Sequence, residues 1–578
     1  MWTPSQNLEY KMNSLASKIT LYNDSSVEID GPIVEGPTLY QWAKQSAAAY
    51  IEQHDFARES GLLQEVSELD QLSYSSRALF GVYQWWYYDQ LIAHLPANIH
   101  IQKHLEQVSN VHRKDDDLFV VISDSSAYEV SAVSAALGEG TDYLSQEEEQ
   151  LSEFAKEHDL TYVPAAYINE VDIDDIAPND SVIIRGLGLS FVDYLSDLTE
   201  RRGGVFDRDD NGDMIYHRSG DEPTIYASSR RGLPYHARAL DQKIVGETSP
   251  RHFLSDQFIT QLIDSDSQIS GKQFMHLIQL EMSYSYYVHL VKNDYPRVKL
   301  DDFKKDLLAS NEKFASVLDK YDISQNRFSW DKLVNPLPNN IKDSNSFTEF
   351  VKTYLKQDIE NAKRGNKTDP ISSAFEKLRE LRTNIRKVVS YNLISNDDFL
   401  NIFLREFNNA NSFLSVGPPI FRIEQVLALI KASVLTLVGP DMEVFTEENQ
   451  FAIKSGLLND KVYHATALIE GRLPAPDARR TTNSLIQNLI KSGLGRIYQL
   501  ELSNGTTFQT GAIDTTADTA ELISTNGLPV KNFFVWGLST EQRHWLTNGS
   551  PIPGVNDIRL RMADKIGSQV AALLNQAI

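Results

Sequence analysis

The 578-residue chain contains no cysteine. Disulfides, zinc–thiolate centres, iron–sulfur clusters and thiol catalysis are therefore excluded, and the composition fits a reducing compartment. Basic residues are scarce beside acidic ones, with 55 Lys+Arg against 79 Asp+Glu and a formal net charge of −24. That surplus repels phosphate backbones and anionic headgroups, so neither nucleic acid nor a membrane surface is an expected partner. Long apolar runs are missing too. The nearest, Val426–Gly439, is interrupted by Lys431, falls short of the ~18 residues a bilayer span needs, and reads as a buried helix passing into a strand. The start, Met-Trp-Thr-Pro-Ser-Gln, lacks a basic region and a following apolar stretch, so it does not read as a signal peptide. A cytoplasmic protein is expected.

What remains is an ordinary globular balance over a length that predicts two or three domains. Periodicity predicts helices at Thr38–Gln53, at Arg77–His94 and at Ser145–His158. Strands are expected at His100–Leu105, Leu118–Ile122 and Tyr128–Leu137, the last running into Gly138. From about 246 to 410 helical stripes dominate, among them Phe375, Leu378, Leu381, Ile385 and Val388. Strand-like pieces then return at Leu435–Val438, His464–Ile469, Arg496–Glu501 and Asn532–Gly537, before a final helix Asp557–Leu574. Strands, a helical block and strands again predict an α/β core with a helical insertion.

The most informative string is Val182-Ile-Ile-Arg-Gly186-Leu-Gly188-Leu-Ser190-Phe191. An apolar strand delivers two glycines into a helix start, the context in which backbone N–H groups approach a pyrophosphate. The third glycine of that fingerprint is replaced by Phe191. A second strand, Thr224–Ala227, ends in Ser228-Ser229-Arg230-Arg231. Arginine and serine there suit the 2′-phosphate of NADP. About forty residues separate this turn from the glycines rather than the usual ~20, and a hairpin turning at Asp209–Gly212 accounts for the excess. An arginine-rich solvent turn is the alternative.

Other patterns carry less. Asp207–Asp213 imitates half of an EF-hand, but Arg218 stands where a bidentate Glu is required. His100 and His104 have helical ligand spacing in a segment read as extended, so no metal is expected. His544 reads as structural, and the aromatic run Tyr83–Tyr88 reads as core or as a ring pocket. Near the end, Asn556-Asp557 is placed to cap the last helix. No pattern singles out a catalytic acid or base, and none bears on oligomeric state.

Several strings together resemble bacterial FAD/NAD(P)-binding proteins related to flavin-dependent urate hydroxylases and nitrosuccinate-forming aspartate N-monooxygenases. They include Leu8-Glu-Tyr-Lys-Met12-Asn13-Ser14, Arg77-Ala-Leu-Phe-Gly81, Arg185–Asp193, Ser229–Arg238, Gly471–Arg480 and the Gly537–Asn556 region, in order along the whole chain. The resemblance implies FAD and NAD(P)H as cofactors. It implies that Met12, Asn13, Ser14, Gly537 and Asn556 lie by the flavin, that Gly186, Gly188 and the Ser229/Arg230 turn hold the nicotinamide nucleotide, and that Arg77, Gly138, Ser190, Phe191 and Arg231 are further cofactor-binding residues. The implied fold is α/β, with two Rossmann-like dinucleotide-binding domains. Residues 1–160 open the FAD domain, 161–245 open the NAD(P) domain, 246–415 form the helical insertion and 416–578 complete both. Such proteins begin with a strand–GxGxxG–helix unit that this sequence does not show ahead of Trp2, so the first βαβ unit of the FAD domain is expected to be missing. The implied function is a flavin monooxygenase acting on a small amino or acidic substrate; the alternative is a non-catalytic nucleotide-binding or interaction module.

Overall fold

This computed structural model describes residues 2–576, apart from 116–117, 139, 324 and 475, and without the side chains of 574–576. Its largest sheet has five parallel strands: β1 (Thr161–Val163), β2 (Ser181–Arg185), β3 (Thr224–Ser228), β4 (Leu435–Leu437) and β5 (Ala467–Ile469). They lie in the order β4-β3-β2-β5-β1. Val182, Ile183 and Ile184 in β2 are fully buried, because a parallel strand is covered on both faces and so reads as an unbroken apolar run. At ~1.5–3 kcal/mol for each buried aliphatic side chain, this run strongly fixes β2 at the centre.

Parallel neighbours require a crossover. Between β3 and β4 the crossover is the helical block itself, and Leu435 still pairs with Ile225. Four helices matter for the site: α1 (Leu189–Leu198), α2 (Ser344–Arg364), α3 (Pro370–Glu380) and α4 (Arg382–Ser390). Asp343 caps α2 by accepting from the Asn345 and Ser346 N–H groups. Asp369 caps α3, with Pro370 in the first turn where its missing N–H costs nothing.

Both ends of the chain meet in a smaller sheet. Val133–Ala135 runs parallel to Pro529–Val535, with Phe533 opposite Val133. Residues before 95 form a helical unit around Trp42 and Tyr83, and the last helix spans Ile558–Gln576. Among the described residues, no helix is long and apolar enough to cross a membrane.

Some expected elements shift. His100–Leu105 is loop, and the antiparallel ladder begins at Val108; Leu105 is 90% exposed, so the apolar alternation there has no sheet to face. The run Tyr128–Leu137 splits into Ala127–Val130 and Val133–Ala135, which serve different sheets. His464–Ile469 likewise divides between an antiparallel strand, Val462–Ala465, and β5. The aromatic run enters the core only in part: Tyr83 is buried, its ring stacks on half-buried Trp86 at 5.8 Å, and Trp42 closes on both, while Trp85 is exposed.

Candidate active site

The central strands β2, β3 and β5 of the parallel sheet end at one cavity of about 1780 Å³. Open α/β sheets bind ligands there, beyond the carboxyl ends of the strands. After β2 come Gly186–Ser190, after β3 Ser229–Arg231, and after β5 Gly471–Leu473, and all of them line the space. Ordinary small-molecule pockets hold ~300–1,000 Å³, so this one has room for more than one ligand.

The β2–α1 junction is built for close approach. Gly186 has φ +129°, and a Cβ there would meet the Gly471 carbonyl oxygen at 2.7 Å. Gly188 forms the start of α1 with no side-chain cap, so the first N–H groups of a ten-residue helix are left open beside the cavity. Free N–H groups and the helix dipole make that end an anion site. Phe191 is fully buried in the main core, on the inner side of α1, and does not line the cavity. The fingerprint's third position therefore serves helix–sheet packing.

Arg185 ends β2, but its charge is already matched. Its Nε donates to both oxygens of the fully buried Glu470, and Nη1 reaches Glu147 at 2.5 Å. Burial works against the charge, yet these carboxylates outweigh it and hold the guanidinium above its ordinary range. Arg77 is matched too, by Asp193 of α1 at 2.7 Å. Beside it the Tyr10 hydroxyl donates to Asp197, also on α1. Arg77 thus lines the cavity while tying the N-terminal unit to the helix that follows the glycine loop.

The opposite wall comes from the helical block. α3 and α4 present Glu376, Arg379, Arg382 and Arg386 to the cavity, with Arg238 beside them. Arg379 pairs with Glu376 at 2.8 Å. Burial opposes ionisation of Glu376, but Arg379, Lys243, Arg238 and Lys18 together bring its carboxyl down to about 2. Arg238, Arg382 and Arg386 have no carboxylate within ion-pair distance among the described residues. They are held by carbonyl groups instead: Arg238 by Asn13, Arg382 by Ser415, and Arg386 by Trp545 and Leu546. The Arg382 Nε–H has no partner. All three line the cavity, and the surrounding protein lowers each below the usual guanidinium range. Neighbouring arginines lower Arg382 further. Basic side chains outnumber acidic ones along this lining, the reverse of the chain as a whole.

Of the residues singled out in the sequence, Met12, Asn13, Ser14, Arg77, Gly186, Gly188, Ser190, Ser229, Arg230, Arg231 and Asn556 all line the one cavity. Asn556 accepts the Glu28 N–H at 3.1 Å. Gly138 and Gly537 lie elsewhere, following the carboxyl ends of the parallel pair Val133–Ala135 and Pro529–Val535. Their φ values are +65° and +110°, and a Cβ on either would meet nothing within 4 Å. His544 is buried, accepts or donates at Thr515 Oγ1, and is pushed by burial down to about 3; it does not line the cavity. The sequence pattern did not single out Arg379, Arg382 and Arg386, whose only signal is their i, i+3, i+7 spacing, each directly following Leu378, Leu381 or Ile385. Arg238 and Arg472 stood inside quoted strings without an assigned role. No cluster of His, Asp and Glu suited to a metal is present among the described residues.

A family model described as FAD-NAD(P)-binding matches residues 1–140. A nitrosuccinic acid synthase of Aspergillus oryzae is 31% identical, covering 98% of this chain and 85% of that protein. L-aspartate N-monooxygenases (nitrosuccinate-forming) of Streptomyces cremeus and Streptomyces davaonensis are 32% and 31% identical, covering 99% and 100% of this chain and 88% and 91% of theirs. The chain belongs to this family of FAD- and NAD(P)-binding monooxygenases, and is an FAD- and NAD(P)H-dependent oxidoreductase.

Proposed function

We propose that the protein oxygenates the amino group of a small amino dicarboxylate, L-aspartate being the first candidate from the names of its relatives. The carrying observation is the trio Arg238, Arg382 and Arg386, desolvated guanidiniums that face the cavity without a carboxylate of their own. Half-buried guanidiniums crowded together without a carboxylate are costly, and an anionic ligand relieves that cost. Two carboxylates suit three guanidiniums better than one does.

In this reading the parallel sheet is the core of a Rossmann-like NAD(P) domain, interrupted by the helical insertion, and the smaller sheet belongs to the FAD domain. The open N–H groups at Gly188–Ser190 take the pyrophosphate of the nicotinamide nucleotide. Ser229, Arg230 and Arg231 stand at the end of β3 where a 2′-phosphate falls, and neither arginine has a carboxylate partner among the described residues. Met12, Asn13, Ser14 and Asn556 face the flavin ring, while Gly138 and Gly537 admit its nucleotide end without steric obstruction. When bound, the two cofactors supply hydride transfer and the reductive activation of O₂. The chain's own part is to orient the substrate carboxylates on the arginine trio and to keep Glu376 ionised, so that the cluster holds one fixed negative charge among its cations.

The test is NADPH consumption and product formation by the full chain supplied with FAD, with and without L-aspartate. Aspartate-dependent nitrosuccinate supports the proposal. NADPH oxidation that yields no N-oxygenated product from aspartate, or from other small amino acids, contradicts it.

A further inference from the structure

Within this reading of β3 and the turn after it, one buried polar chain has no role so far. Tyr354 and Asp358 lie four residues apart on α2, hence on one helix face. Asp358 Oδ1 is 2.5 Å from His236 Nδ1, and its Oδ2 accepts the Ala237 N–H at 2.7 Å. The Tyr354 hydroxyl is 2.9 Å from His236 Nε2. A carboxylate only accepts, so the histidine presents its Nδ1–H to Asp358. His236 and Asp358 are each 8% exposed. Burial, then the Asp358 carboxylate, push the Tyr354 hydroxyl well above the ordinary phenol range, which keeps it a donor for Nε2.

The chain of contacts continues toward the cavity. The His236 ring lies 4.8 Å from the ring of Phe413. The Arg231 guanidinium sits over that same Phe413 ring at 4.1 Å, and its Nε–H donates to the Val334 carbonyl. The backbone is fixed by the same elements: the His236 N–H bonds to Phe413 O, and the Arg238 N–H to Pro418 O. Tyr235, next in sequence, packs beside Gly188. His236 is thus the point at which the helical block grips the segment that begins with Ser229-Arg230-Arg231.

We propose that Asp358, His236 and Tyr354 are positioning residues that aim Arg231, through Phe413, at the 2′-phosphate of the nicotinamide nucleotide and so set the preference for NADP over NAD. They touch no ligand themselves. The proposal rests on the assignment of this turn to the dinucleotide, and its test keeps the two separable. NADP⁺ and NAD⁺ are titrated by calorimetry into the full chain and into Arg231→Ala, Tyr354→Phe and Asp358→Asn. Tyr354→Phe removes a single hydroxyl, so it remains informative should Asp358→Asn fold poorly.

The expected result is that Tyr354→Phe and Asp358→Asn each weaken NADP⁺ about 3- to 10-fold, the loss of one aiming hydrogen bond, and leave NAD⁺ within about 2-fold. Added to Arg231→Ala, either substitution costs nothing further, because the two act through the same group. Equal weakening of both dinucleotides, unchanged NADP⁺ binding, or full additivity with Arg231→Ala overturns the positioning role. A wild-type chain that binds neither dinucleotide overturns the site assignment and this inference with it.

Discussion

Two walls of the cavity receive negative charge by different means. The wall at the strand ends combines backbone and side chains: Gly186, Gly188 and the open first turn of α1 offer N–H groups, Arg230 and Arg231 follow β3, and Arg185 is neutralised by Glu470. The wall from α3 and α4 uses side chains, with Arg382 and Arg386 facing the space unmatched and Arg238 beside them. Backbone donors cost little when no ligand is present, because they are neutral dipoles. Desolvated like charges repel at all times. In the function proposed above, the first wall holds a cofactor and the second a dianionic substrate, whose charge offsets the repulsion among Arg238, Arg382 and Arg386.

The sharpest way to break this contrast is to remove charge from the second wall. Arg382→Met should lower kcat/KM for the amino dicarboxylate by about 100-fold, the cost of losing a desolvated charge-assisted contact. Steady-state kinetics with aspartate as the varied substrate, at saturating NADPH, checks this, and the KM for NADPH should hold. The corresponding change at the first wall is Arg231→Ala, expected to raise the KM for NADPH about 10-fold or more and leave NADH nearly unaffected. Similar losses with both nucleotides would erase the distinction between a phosphate-reading turn and a general structural one.

A smaller effect sharpens the account of Glu376. Its carboxyl is held at about 2 in the folded chain, below the unfolded value of ~4.3. Its contribution to stability is therefore complete above the unfolded value and is lost as pH falls toward 2. Glu376→Gln should lower thermal stability by an amount on the order of a few kcal/mol near neutrality, with the gap from wild type closing in acid. Thermal unfolding monitored across that range measures it. A gap that widens on acidification would mean the surrounding arginines do not stabilise the carboxylate.

The same contrast explains what the sequence disclosed. The Gly186–Gly188 loop was legible because strand, glycines and helix are contiguous, and each piece has its own local signature. The turn Ser229–Arg231 was legible for the same reason, since it directly follows β3. The arginine row was not. On α3 and α4 the stripe Phe375, Leu378, Leu381, Ile385 announces a core face, but the arginines directly following its members read as solvated until the fold places them on a cavity. Arg238 lies more than 130 residues from Arg379 in sequence and meets it only through the insertion. The Phe191 side chain is close-packed in the core, and Gly138 and Gly537 belong to a second, smaller strand pair assembled from distant parts of the chain. His100–Leu105 failed as a strand because alternation alone names no partner.

The most direct test of a strained arginine wall is the thermal stability of Arg382→Met, without ligand and with saturating L-aspartate. The variant should unfold at the same temperature as wild type or higher when no ligand is present, since repulsion among the unmatched Arg238, Arg382 and Arg386 is relieved. Aspartate should raise the unfolding temperature of wild type and not of the variant. A variant less stable than wild type in the absence of ligand that still gains the full aspartate shift would contradict a strained wall.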